Sequence, residues 1–377
     1  MSESEAMIER YWRYSLTRLF ACFLRWKKVF DKLEIGGDEG GKKKMTTWVL
    51  EIMNSEDMVK LRALAELSSR EVFNDPSLRV AVCRRILEVL VLGEGFGDGM
   101  KEAKQRGGKK KKGKKKKADA RVVEVLDACF ELGVACNQVR DFDDSECYYK
   151  RAKDGYEKEL GRNDEKTLRA TYLLIMSTGM SDEERIEKLR DLVARMKAAL
   201  GEDNETTLDT LNTLGSELYG IGDYEEARKV YEKCLLGQEK VLGEDHKKTL
   251  GTVNNLGTVY DKMGNYEKAL EYYERALKGY EKTLGKTHPN TLITVMNIAI
   301  VYNDGMKDYE KAEELYRRAL EGYEAQLGKD HEESKRCAKN LAACLAKAGE
   351  RKRLRKVLEE YPHIAAGMGR SIDELCR

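Results

Sequence analysis

One phrase recurs four times along this chain of 377 residues. Residues 264–285 read GNYEKALEYYERALKGYEKTLG and residues 222–243 read GDYEEARKVYEKCLLGQEKVLG. Residues 307–328 read KDYEKAEELYRRALEGYEAQLG, and residues 140–161 read RDFDDSECYYKRAKDGYEKELG. A chain that repeats itself at a fixed period builds one structural unit several times and buries its core between the copies. The closing Leu-Gly stands at Leu160-Gly161, Leu200-Gly201, Leu242-Gly243, Leu284-Gly285 and Leu327-Gly328, so the steps are 40, 42, 42 and 43 residues.

The unit reads as two helices. Tyr266, Ala269, Tyr273, Ala276 and Tyr280 are spaced 3, 4, 3 and 4, one stripe of an α-helix in which small and large residues alternate. Leu256, Gly257 and Tyr260 mark a preceding helix, and Gly264-Asn265 is the turn between the two, because Gly and Asn tolerate positive φ. The next unit opens at Thr287-His288-Pro289, a polar cap followed by Pro at a first helical position. Only three residues are Pro, and no stretch alternates with period two, so the expectation is an all-α chain.

Small and large residues recur at matching places: Leu256, Gly257, Tyr260, Ala269, Tyr273 and Ala276; Leu214, Gly215, Ala227 and Tyr231; and Tyr302, Ala312, Tyr316 and Ala319. This pattern resembles the tetratricopeptide repeat. The long period, the LGxxHxxTL junction and Asn254-Asn255-Leu256 resemble the kinesin light chain type of that repeat. Residues 1–119 lack the long heptad run that precedes the repeats in kinesin light chains. The resemblance covers residues 120–361 and implies a right-handed superhelical solenoid of about six helix pairs, the last a cap.

The remainder divides by composition. Residues 1–35 carry a basic amphipathic helix, with Ile8, Trp12, Leu16, Leu19, Phe23, Trp26, Phe30 and Leu33 on one side. Residues 36–44 are a linker, 45–92 a small helical region, 93–119 a Gly/Lys-rich flexible linker and 362–377 a tail. Net charge is +2, yet residues 101–117 alone carry about +10, which leaves the rest near −8. The basic charge is therefore local, and the chain is not a uniformly basic nucleic-acid binder.

No constellation for catalysis emerges. Gly36–Lys42 fits G-x-x-x-x-G-K, but Lys43 stands where a phosphate loop needs Ser or Thr, and Asp38 and Glu39 would repel phosphate. His331-Glu332 begins like a zinc-protease helix, but Lys335 replaces the second ligand. His246, His288 and His331 share one repeat position, as a copied junction residue does, and sit one repeat apart, too far to share an ion. The nine cysteines are scattered without CxxC spacing, which suits a reducing compartment. The expectation is no enzyme activity, no cofactor, no metal and a cytoplasmic location, with the lysine run as an alternative nuclear address.

A stack of helix pairs has a concave inner face lined by the first helix of each pair. The spacing that avoids the core stripe selects Asn212, Ser216, Asn254, Thr258, Lys262, Met296, Asn303, Arg336 and Lys339 as groove residues. Asn donates and accepts at once, which suits the backbone of an extended peptide, and the basic end suits acidic groups on it. The expected function is a protein-interaction scaffold or adaptor, with a peptide or partner helix as ligand. The alternative is binding to nucleic acid or an anionic membrane through residues 8–33 and 101–117. The oligomeric state is not legible.

Overall fold

The computed structural model describes residues 120–367 and 371–376, together with Val80, Cys83 and Arg84. The amphipathic stretch 8–33, the linkers at 36–44 and 93–119, and most of 45–92 lie outside the described residues. Every element among the described residues is a helix, as the periodicity predicts.

The chain divides into two compact units, Met1–Gly179 and Met180–Arg377. The first holds α1 (Ala120–Gln138), α2 (Phe142–Glu159) and α3 (Glu165–Ser177). Here Val80 and Cys83 pack on Leu132, Ala135, Cys136 and Tyr148, and Arg84 pairs with Asp144 at 2.6 Å. The second unit begins with α4 (Asp182–Leu200) and continues through three long pairs. These are α5 (Glu205–Gly220) with α6 (Tyr224–Leu242), α7 (Lys247–Lys262) with α8 (Tyr266–Leu284), and α9 (Pro289–Ile300) with α10 (Tyr309–Leu327). A π-helical segment, Val301–Met306, extends α9. The closing pair is α11 (Glu332–Lys347) with α12 (Arg351–Glu360), followed by the short α13 (Pro362–Gly367) and α14 (Ile372–Leu375). The expected 120–361 array thus divides between Ser177 and Asp182, inside its most degenerate copy.

Local chemistry explains where each helix starts and stops. Within a pair, the turn needs one residue in the left-handed region. Gly222, Gly264 and Gly349 supply it at φ +85°, +74° and +75°, whereas Arg140 and Lys307 adopt it without the glycine advantage. The next residue caps the second helix: Asp223, Asn265 and Asp308 each accept from the N–H three residues on, at 3.2 Å. Between pairs, the three repeated histidines are N-caps. The Nδ1 atoms of His246, His288 and His331 accept from the N–H of Lys248, Asn290 and Glu333 at 3.3, 3.1 and 3.2 Å. Asn204 and Asp164 make the same bond at 2.9 and 3.0 Å in the earlier copies. A hydroxyl three residues after the cap then ties the preceding loop: Thr167, Thr291 and Ser334 donate to the carbonyls of Gly161, Gly285 and Gly328 at 2.8 Å.

Glycine seats set the closeness of the pairs, two in each of the first two long pairs and one in the third. A Cβ on Gly215 or Gly257 would lie 2.7 Å from the ring of Tyr231 or Tyr273. A Cβ on Gly237, Gly279 or Gly322 would lie 2.4–2.6 Å from a methyl of Leu208, Leu250 or Leu292. The repeated Tyr and Leu residues are buried, and the alternating small residues make room for them. Gln238 is fully buried as well and accepts from Thr252 at 2.7 Å, so a polar bond crosses from one pair to the next.

The π segment accounts for the single 43-residue step. One extra residue between Ile298 and Tyr309 is absorbed by a wider helical turn, and the side chains after it rotate by about 100° relative to the other copies. Tyr302 is consequently only half-buried, whereas Tyr260 one unit earlier is buried.

Candidate functional site

The surface available to a ligand in the second unit is the outward side of the first helices α5, α7, α9 and α11. Each residue selected from the sequence can be placed on it or removed from it. Lys262 and Lys339 are exposed. Arg336 is exposed and pairs with Glu333 one turn back. Ser216 and Thr258 keep an outward position, but their hydroxyls meet the phenols of Tyr231 at 2.8 Å and Tyr273 at 3.0 Å. Those bonds join the two helices of one pair. Burial pushes the Tyr231 phenol up to about 12 and the Tyr273 phenol up as well, so both stay neutral near neutral pH.

Asn212 and Asn254 are half-buried and partly committed to neighbouring helices. Asn212 Nδ2 donates to Thr252 Oγ1 at 2.6 Å. Asn254 Oδ1 accepts from Thr294 Oγ1 at 3.2 Å and from Asn297 Nδ2 at 3.4 Å. They serve the junctions between units.

Two expected groove residues are corrected. Met296 is 3% exposed and belongs to the core with Leu292, Ala338 and Leu341. At the position where the other units carry Asn212, Asn254 and Lys339, a flexible thioether packs on the following unit instead of meeting solvent. Asn303 is 4% exposed, because the π segment turns it inward. Neither side chain is on the open surface.

The residues that replace them lie one step along the helices. Asn255, Asn297 and Asn340 occupy one position in three consecutive units, directly before the core residues Leu256, Ile298 and Leu341. All three are half-buried. The amides of Asn255 and Asn340 have no partner among the described residues, and Asn297 spends one donor on Asn254. Four residues earlier in α7 and α9, the equivalent positions hold Gly251 and the 40%-exposed Ile293. The row offers unspent amide donors and acceptors at one-unit intervals, which an extended main chain can meet. The sequence signal for the row is Asn followed by an aliphatic core residue, one position beyond Asn254 in α7.

Among the described residues, no group of three His, Cys, Asp or Glu is placed to hold a metal ion, and no helix is long and apolar enough to cross a membrane. The described cysteines are free, and burial pushes Cys234 and Cys337 up to about 12 and Cys136 and Cys344 up to about 11. These thiols therefore stay protonated at neutral pH.

The model of the tetratricopeptide repeat family matches residues 207–282, 249–325 and 290–353. No curated protein matches the chain. Among solved structures, the kinesin light chain TPR-like repeats from Podosopora anserina are similar at 24% identity over 54% of this chain and 97% of that one, with TM-score 0.48. The apo form of RapI is 14% identical over 82% of this chain and 97% of that one, with TM-score 0.54. The apo form of the quorum sensor NprR from B. thuringiensis is 15% identical over 97% of this chain and 100% of that one, with TM-score 0.51. Such identities speak for the fold alone. With its paired helices, small-residue seats and matched copies, the segment 207–353 is built of tetratricopeptide repeats.

Proposed function

We propose that this chain is a non-catalytic protein-interaction scaffold that holds an extended peptide along α5, α7, α9 and α11. The observation that carries the proposal is the row Asn255, Asn297 and Asn340, whose amides repeat once per unit and are largely unspent. An extended peptide presents N–H and C=O groups regardless of its sequence, and a ladder of carboxamides satisfies both. Arg336 and Lys339 at the closing pair favour acidic residues at one end of the ligand. Within the scaffold class, the 42-residue period and the LGxxHxxTL junction favour an adaptor of the kinesin light chain type, acting in the cytoplasm.

The test is selection of linear peptides on the full chain, followed by titration against N255A/N297A/N340A. The proposal expects selected peptides to bind at least tenfold more weakly to the triple variant, with its melting temperature within a few degrees of the parent. Equal binding to both proteins would remove the row from the site. Binding that vanishes on deletion of 101–117 and falls steeply with salt would favour the basic segments instead.

A further inference from the structure

The outward side of α9 differs from that of its neighbours. At one repeat position α5, α7, α9 and α11 carry Asp209, Gly251, Ile293 and Arg336. Two turns further on, Ser216, Thr258 and Ala343 stand where α9 has Ile300. Ile293, Asn297 and Ile300 are spaced 4 and 3, so they share one face of α9, with a carboxamide of the row between two aliphatic side chains. Ile293 is 40% exposed, and Ile300 is half-buried, packed in part on the core of the closing units. A lone exposed isoleucine is ordinary. Two that flank one amide of the row, in one unit of four, form an apolar face on the path of the peptide.

We infer that this face selects the ligand: its occupant is a peptide with an aliphatic residue over α9 and an acidic residue over α11. The inference rests on the scaffold reading for the path of the peptide. The acidic residue follows from charge complementarity. Arg336 and Lys339 are exposed one unit on from the apolar face, and Lys339 forms no ion pair among the described residues. Arg336 pairs with Glu333, but a guanidinium has five donors, more than one carboxylate takes. The spacing of the two residues follows from the stack. Asn254 accepts from Thr294, and Met296 shares one core with Ala338 and Leu341, so α7, α9 and α11 are neighbours in order. Neighbouring helices lie about 8–10 Å apart. A polyproline-II stretch has about three residues per turn and a rise of about 3.1 Å, so it presents residues i and i+3 on one side, one per unit. Its main chain makes no internal hydrogen bonds and is open to the carboxamides. An aliphatic side chain seated between Ile293 and Ile300 also displaces water from the Asn297 amide and strengthens its bond to the main chain.

The probes are two short peptides, acetyl-SLSSES-amide and its reverse order acetyl-SESSLS-amide, titrated at low salt into the full chain with ¹³C-labelled isoleucine methyl groups. Saturable shifts of the Ile293 and Ile300 methyl groups are expected with at least one of them. In that peptide, leucine to serine or glutamate to glutamine should each weaken binding at least fivefold. I293S/I300S should abolish the preference for leucine, and R336Q/K339Q the preference for glutamate. The inference is overturned if neither peptide moves these methyl groups saturably, or if the leucine and serine peptides bind alike. It is also overturned if sedimentation shows the parent associating with itself and I293S/I300S not, which makes a second copy the occupant. N255A/N297A/N340A separates this inference from the scaffold reading. A leucine preference that survives there at unchanged affinity keeps the apolar face and removes the row; affinity lost there, with no leucine preference in the parent, keeps the row and removes the apolar face. Should I293S/I300S fail to fold, the peptide variants on the parent decide.

Discussion

The histidine caps give the sharpest quantitative test of how the repeats hold together. His246, His288 and His331 each accept a backbone N–H through Nδ1. That requires the tautomer with its proton on Nε2. Each bond satisfies one of the donors that a helix leaves open at its start. Removing a side-chain cap costs about 0.5–2 kcal/mol, typically about 1 kcal/mol. The three caps lie in separate units and share no partner, so their losses should add to about 3 kcal/mol in H246A/H288A/H331A. The chain supplies its own control, since Asn204 fills the same position with a bond of 2.9 Å. The triple variant H246N/H288N/H331N should therefore be as stable as the parent or more stable. Urea unfolding followed by circular dichroism reads both. With a slope of about 3 kcal/mol per molar, the alanine protein loses about 1 M in midpoint and the asparagine protein loses none. If both variants lose the same stability, the histidines act through packing or charge and the capping account is wrong.

Other outcomes follow from the packing and burial. Leu250 is seated over Gly279, so L250A should cost about 2–5 kcal/mol and G279A about 0–2 kcal/mol net of its better helix propensity; in the double variant the clash disappears, and calorimetry should show the two losses failing to add. T252V keeps the shape but leaves the buried Gln238 oxygen without its donor, which should cost about 1–3 kcal/mol by chemical unfolding. Tyr231, Tyr323, Cys234 and Cys337 are all pushed up to about 12 by burial. Their folded values lie above the unfolded ones, so that stability is complete below about pH 8.5 and is lost as the pH rises from there through about 12, where the unfolded chain binds fewer protons. Unfolding midpoints taken across pH 8–12 should fall steadily, and a flat profile would contradict the burial. At pH 8, iodoacetamide should modify the exposed Cys147 within minutes and leave Cys234 and Cys337 intact until the chain unfolds, as read by peptide mass mapping.

Much of the fold was legible because a repeat states its rule several times. The 3-4-3-4 stripe of Tyr and Ala, the Gly-Asn turn and the Leu-Gly endings each follow from backbone and side-chain sterics. The histidines were legible as copied residues, but their role needed the geometry of Nδ1 against a backbone N–H. The second-helix glycines at 237, 279 and 322 went unnoticed because Gly in mid-helix reads as a weakness until the leucine above it is seen. The site was read less well. A helical turn advances 100° per residue, so the choice between Asn254 and Asn255 depends on which side meets the next unit. Sequence spacing within one helix does not contain that information. Asn303 was misplaced for a related reason: one inserted residue changes the angle of everything after it, and periodicity alone cannot say whether a loop or the helix absorbs it. The division near Gly179 leaves no mark in composition.

The central claim is that a row of carboxamides, one per unit, holds a ligand's main chain. The most direct measurement is isothermal titration of one selected linear peptide, and of the same peptide with alternate backbone amides N-methylated, into the full chain and into N255A/N297A/N340A. If the claim is right, N-methylation and the triple substitution each weaken binding at least tenfold, and together they weaken it less than the product of the two. If N-methylation weakens binding to the triple variant as much as to the parent, the row does not hold the main chain and the claim fails.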